Sequence, residues 1–358
     1  MAFIDHVLEP PSYGWQDNEG NLIKPSNKQI LREYASRINI FKTKKNWLPF
    51  FSWFCVLCLF PFFVGLIVIQ VIDFNIWYLI AGFIYSMILM GTHGTIWLHR
   101  YCTHGAYTFK NKFWQIFTQN LVIKAIPEEV YVVSHHVHHA KSDQPGDPYN
   151  ANAGFLYCFL ADTNHQPIAR NLCETDYEKA VNFMRHTGVP SNTYAAYQKY
   201  GSIASPLYTT ISVALNWIFW YAAFYFMGGH GLAITIFGSA FFWAVGVRTF
   251  NFEGHGKGED KRQDGVDYNR DDMSINQLWP GYVAGEWHNN HHLYPQSARS
   301  GFLPHQLDLA WVYIKGLHIL GGITSYKDKK AQFLRDYRKP YLDQKAAAKR
   351  KPEKVAAK

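Results

Sequence analysis

The chain has 358 residues, 48% of them apolar and 17% aromatic, with a formal charge of +8 and 17 histidines. Its mean hydropathy is still slightly negative, at −0.19, which excludes a uniform bundle of membrane spans and requires a sizeable water-facing part. No nucleic-acid-binding motif accompanies the positive charge, so nucleic acid is excluded as a partner.

Residues 1–46 read as a cytoplasmic N-terminal segment with seven Lys or Arg between positions 24 and 45. The segment is too polar for a signal peptide and shows no cleavage site. Stretches 46–72 and 74–99 contain no Asp, Glu, Lys or Arg. Each suits one span of about 20 apolar residues, predicted over about 47–72 and 76–98. Cys55 and Cys58 lie inside the first apolar run and read as packing residues rather than a redox or zinc pair. Stretches 112–124 and 306–323 are apolar but interrupted or bounded by charge, and read as helices along the membrane face or under a cytoplasmic cap.

The third charge-free stretch, 200–247, carries Gly228, Gly229, His230 and Gly231 near its middle. That is a turn signal, so two spans are predicted, about 203–227 and 231–250. The working domain covers 47–330. Residues 331–358 form a basic tail, expected to be disordered from about 345, where six Lys or Arg face one Glu. Lys and Arg flank the spans on one side only, which places both termini and both large loops in the cytoplasm. The expected fold class is all-α integral membrane, with four transmembrane helices in two hairpins and a cytoplasmic helical cap. A bacterial inner membrane is the expected location, with endoplasmic reticulum as the alternative.

The histidines cluster at the cytoplasmic ends of these spans. His99 and His104 stand in HRYCTH; His135, His138 and His139 in SHHVHH; His255 in NFEGH; His288, His291 and His292 in WHNNHH. Offsets of three and four put side chains on one helix face, so the second and fourth sets each form one imidazole face. The offset of five between His99 and His104 does not share a face on a regular α-helix, so a helix end or distortion is expected there. Neutral imidazoles suit iron, zinc, copper or nickel. Nine candidates exceed the three or four that one zinc takes, and two metals sharing them is the simplest arithmetic. There is no HExxH zinc-peptidase signature. His136 is off its cluster's face, and His93, a costly polar residue within the second span, is kept outside the ligand set. His6, His165, His186, His230, His305 and His318 read as ordinary.

On these motifs the chain resembles the membrane fatty-acid desaturases, in the Δ9 acyl-CoA and acyl-lipid branch. That family carries HxxxxH, HxxHH and HxxHH boxes in this order around four spans. HHVHHAKSDQPGDPYN and HNNHHLYPQSARSG extend the likeness beyond the histidines, the latter close to the acyl-lipid form of the third box. The resemblance implies that His255 is a ninth ligand, that Asn251 holds a metal-bound water, and that ten contacts serve two iron ions, five each. Gly105, where basic residues are common, and the long charged stretch 256–277 are departures from the family pattern.

A saturated methylene has no acidic proton and no leaving group, so removing its hydrogens requires a redox metal pair, O2 and two electrons. The implied activity is introduction of a cis double bond, at Δ9, into an acyl chain carried by CoA or lipid. A hydroxylase or ketolase is the competitor within the same chemistry, and a membrane metal transporter is the remote one. No haem-binding HPGG occurs, so electrons are expected from a separate cytochrome b5 or ferredoxin. Asp143, Asp147 and Glu286 are the candidate acceptors orienting the imidazoles. Phe83 and Met87, four apart in the second span, are expected to share a face and close the substrate tunnel.

Overall fold

Charge-free sequence becomes long helix wherever no water is needed to satisfy the backbone, and the computed structural model follows that rule; it describes residues 2–255, 287–304 and 306–349. Helix α1 (Asn27–Arg37) opens with a capping box in which Ser26 and Gln29 satisfy each other's backbone N–H groups. Among the described residues, three helices follow that are long and apolar enough to cross a membrane. They are α2 (Trp47–Ile72), α3 (Ile76–Thr103) and a bent helix, α6, over Pro206–Gly246. The outer face of α2 is bare of partners, with Val71 79% exposed. A row of such large apolar side chains needs hydrocarbon rather than water around it.

The bend in α6 lies at Gly228 (φ −158°, ψ 24°) and Gly229 (φ 67°, ψ −169°). The second of these is a left-handed conformation that glycine adopts without a Cβ penalty. The two arms double back on each other. The Trp217 and Phe237 rings are 5.9 Å apart, whereas a straight helix would separate these positions by roughly 30 Å. The Tyr221 hydroxyl and His230 Nδ1, 2.9 Å apart, close the turn. Small residues let the rods approach: a Cβ at Gly82 would strike Ser239, and one at Gly238 would strike the Phe62 carbonyl.

The α3 helix is not regular. It is π-wound over Ile84–Met90 and again over Gly94–Thr103. The cap is built from β1 (Tyr107–Phe109), α4 (Lys112–Gln119), α5 (Glu128–Lys141), α7 (Phe250–Gly254), α8 (His288–Leu293), α9 (Leu309–Ile319) and β2 (Ile323–Tyr326). The two strands pair antiparallel, Tyr107 opposite Tyr326. One core lies under the cap around Trp97, Tyr101, Val133 and Ile314. A second lies between the rods around Leu59, Met87, Phe237 and Trp243.

The N-terminal segment is woven into the cap rather than set apart from it. Val7 and Leu8 are buried in the cap core, and Glu9 pairs with both Arg37 and Arg170. Asp162 accepts hydrogen bonds from Ser52 on α2 and from Arg248 just past α6, which fixes the cap to the rods. At the other end, α10 (Lys339–Lys349) is helical through 345–349, part of the stretch expected to be disordered. Ala346 and Ala347 are strong helix formers, and Lys339 pairs with Asp343 one turn on; residues 350–358 lie outside the described residues.

Candidate metal centre

Helix α5 starts after Pro127 with Glu128 and Glu129 in its first turn, acidic residues that suit a helix N-terminus. Val132, Val133 and Val137 bury one side in the cap core. The other side then presents His135, His138 and His139. Short helix α8 presents His288, His291 and His292 in the same way.

His99 and His104 come from the π-wound end of α3, where the His104 N–H donates to the His99 carbonyl at 3.1 Å. That i→i+5 bond stacks residues five apart, so the distortion that the offset of five requires is present. Their rings are 4.9 Å between centroids. Gly105 follows with φ +52°, the left-handed residue that ends the helix. The departure from basic residues there therefore has a backbone cause.

The nine histidines fall into two groups. His99, His104, His135, His139 and His291 form one, and His138, His255, His288 and His292 the other, with ligand atoms in each within 4.8 Å of one another. The Nε2 atoms of His99 and His291 are 2.8 Å apart, those of His291 and His139 2.9 Å, and those of His288 and His255 2.9 Å. Ring nitrogens held this close repel unless a proton or a cation lies between them. Burial, and after it the neighbouring histidines, hold His104, His135, His288, His291 and His292 well below the usual imidazole range, and lower His139 to about 2. Neutral rings with converging lone pairs are a donor set for two divalent transition metals.

Second contacts orient the rings. His138 Nδ1 donates to Asp147 at 2.8 Å with both side chains fully buried, and His255 Nδ1 donates to Asp143 at 3.0 Å. Donation from Nδ1 leaves Nε2 free to ligate. Asp147 also accepts from the Asp143 and Tyr149 N–H groups. Asp143 itself has φ 60°, unusual outside glycine.

The other candidates divide. Asn251 is half-buried on α7, one turn before His255. Glu286 lies outside the described residues, as do 256–286 and His305. His136 stacks on Phe183, 4.3 Å between centroids, outside both groups. His93 faces the Thr118 carbonyl at 2.7 Å and also stays outside. Phe83 and Met87 differ in burial: Phe83 is 46% exposed and Met87 1%.

Two residues escaped the sequence reading. Arg100, buried beside His99, donates to the Ala298 carbonyl (2.6 Å), to Ser300 Oγ and to Asp308, tying the first box to the chain after the third. Buried Glu129 accepts the Ile203 and Ala204 N–H groups at 2.7 Å each, anchoring α5 to the start of α6. A charge between two ligands, or at the head of a ligand helix, was the available signal.

Residues 75–318 match the family model described as fatty acid desaturase. The chain belongs to the fatty acid desaturase family. It is 27% identical over 256 residues to the sn-1 stearoyl-lipid 9-desaturase of Anabaena variabilis, covering 66% of this chain and 79% of that one. It is 25% identical over 248 residues to the icosanoyl-CoA 5-desaturase of Limnanthes douglasii, covering 65% and 60%. It is 29% identical over 209 residues to the palmitoyl-monogalactosyldiacylglycerol delta-7 desaturase of Arabidopsis thaliana, covering 55% and 47%. Membership in the desaturase family makes the protein an oxidoreductase of fatty-acyl chains, and iron is the metal that the family implies.

Proposed function

We propose that this desaturase introduces a cis double bond at Δ9 into a saturated acyl chain of a membrane glycerolipid, using O2 and two electrons from a separate cytochrome b5 or ferredoxin. The observation that carries the reading is the pair of histidine groups, five and four, buried in a cap against long apolar helices. Similarity to a stearoyl-lipid 9-desaturase over 79% of its length supports the position and the lipid carrier. Two irons held by the nine histidines, with Asn251 contributing through a water, would supply O2 activation and the oxidising power that unactivated methylenes require. This chain's own residues do the rest. Asp143 and Asp147 hold the tautomers of His255 and His138, Arg100 locks the first box against the chain that follows the third, and the cap excludes water from the acyl chain.

The two arms of α6 together with α2 and α3 make four spans in two hairpins, with both termini and loops 100–200 and 251–358 cytoplasmic. The Lys and Arg asymmetry supports this, and a cysteine placed at Asn75 or Gly229 is expected to label from the outer side. Met87, buried between the rods, is the proposed tunnel floor. Met87→Trp is expected to shift products towards shorter chains, while Phe83→Ala, facing outward, leaves the chain-length profile unchanged.

The deciding experiment is a fatty-acid profile with double-bond location, after expression in a host lacking Δ9 activity. A Δ9 monoene in the glycerolipid fraction is expected. A hydroxylated chain, or product confined to acyl-CoA, contradicts the reading.

A further inference from the structure

An open groove of about 800 Å3 runs between α4 and the first arm of α6. Its walls are Ile116 and Phe117 on one side and Leu207, Ile211, Leu215 and Phe219 on the other, all strongly exposed. None of the residues lining it is charged. From Ser205 and Tyr208 at its start to Phe219, the wall measures roughly 21 Å along the helix, about the reach of an extended sixteen-carbon chain. The wall belongs to a helix long and apolar enough to cross a membrane, so hydrocarbon surrounds it.

The groove ends against the stretch 119–126, which joins α4 to α5. Asn120 and Leu121 line the groove, while Val122, Ile123 and Lys124 line a second, small cavity of about 30 Å3 on the inner side. Trp97 and Leu98, next in the chain to the ligand His99, line that inner cavity as well. This partition is irregular backbone, and side chains of neighbouring rods hold it shut. Asn216 accepts the Lys124 N–H at 2.9 Å and donates to the Val122 carbonyl at 3.0 Å. Trp217 and Trp220 donate to the carbonyls of Lys124 and Asn120, and Tyr85 accepts the Ile123 N–H. Lys124 Nζ donates to Ser212 at 2.7 Å.

We propose that this groove binds one acyl chain of a bilayer glycerolipid, and that 119–126 is a latched gate through which the chain passes sideways towards the metal centre. The occupant follows from continuity, because the groove opens on the lipid-facing surface at one side and its end wall is the outer wall of the inner cavity. The polar start at Ser205 and Tyr208 followed by an apolar wall matches an ester-bearing amphiphile. The inference rests on the lipid carrier proposed above, but its first test needs no turnover.

The iron-loaded full chain is placed in phosphatidylcholine vesicles containing a few mole per cent of phosphatidylcholine with a diazirine midway along its sn-1 chain, then irradiated and mapped by mass spectrometry. Labelling at Ile211, Leu215 and Phe117 is expected to exceed that at Val64 and Val71, also exposed on α2, by about tenfold, the factor corresponding to ~1.4 kcal/mol. Ile211→Trp with Leu215→Trp, which fills the groove at an exposed face, removes the excess while iron content holds. Asn216→Ala, which releases the latch, raises labelling at Val122 and Ile123 severalfold. Labelling equal across the groove and α2, or unchanged by filling, overturns the site. Inner labelling unmoved by Asn216→Ala in protein of normal iron content overturns the gate. Failure of the desaturase reading shows separately, as absent product from protein that still labels in the groove.

Discussion

His99 and His104 are set by a π-wound helix end, and His135, His139 and His291 by two α-helices. The five-nitrogen group thus includes the two ligands that π winding brings together. His138 and His255, in the four-nitrogen group, are steered by Asp147 and Asp143, carboxylates in a loop where Asp143 holds φ 60°. Helix winding thus positions His99 and His104, whereas His138 and His255 are also held by hydrogen bonds to carboxylates. The contrast teaches that the two nitrogen groups should fail differently when these supports are removed.

The harshest way to break the comparison is to delete one ligand from each group. His291→Ala and His138→Ala are each expected to lower turnover at least about a thousandfold, ~4 kcal/mol of barrier, because both positions are needed. His186→Ala and His318→Ala, which lose contacts to the Tyr101 and Ile323 carbonyls and ring contacts with Tyr101 and Tyr326, keep most of the activity in the same lipid-product assay. Comparable loss in all four would make the grouping meaningless.

A milder change sharpens it. Asp147→Asn keeps the shape but removes the charge that faces His138, and such supports are worth about 10–100-fold in metal affinity. Titration with a chelator should strip one iron early and leave the five-nitrogen group loaded. Simultaneous loss of both metals would show that the groups do not differ in this way.

The smallest effect concerns the helix that both groups share. Burial raises Glu129 from 4.5 to about 7, while its two backbone N–H partners pull the other way. The folded state then holds a proton that the unfolded state has released between those values, so stability is greatest below about 4.5 and declines as pH rises to about 7. The size is on the order of 3 kcal/mol at full burial. Glu129→Gln should flatten this part of the profile of melting temperature against pH. A slope identical to the parent's removes Glu129 as its source.

The rods, the turn at Gly228 and Gly229 and the histidine clustering were legible in the sequence. They depend on signals that survive in one dimension: absence of charge, glycine at a turn, and imidazoles three and four apart. The offset of five between His99 and His104 even announced a distortion. What it did not announce was a second π segment over Ile84–Met90, because a switch from i→i+4 to i→i+5 bonding leaves no mark in residue type. The unequal burial of Phe83 and Met87 left no mark there either. Arg100 was missed because its partners, Ala298, Ser300 and Asp308, lie about two hundred positions away. The helical run over 345–349 was missed because basic composition outweighed the propensity of its alanines.

Metal analysis of the intact protein, purified from iron-replete cells without chelator, tests the central claim most directly. Two irons per chain are expected, falling to about one in His291→Ala and in His138→Ala. One zinc and no iron in the parent would contradict the account.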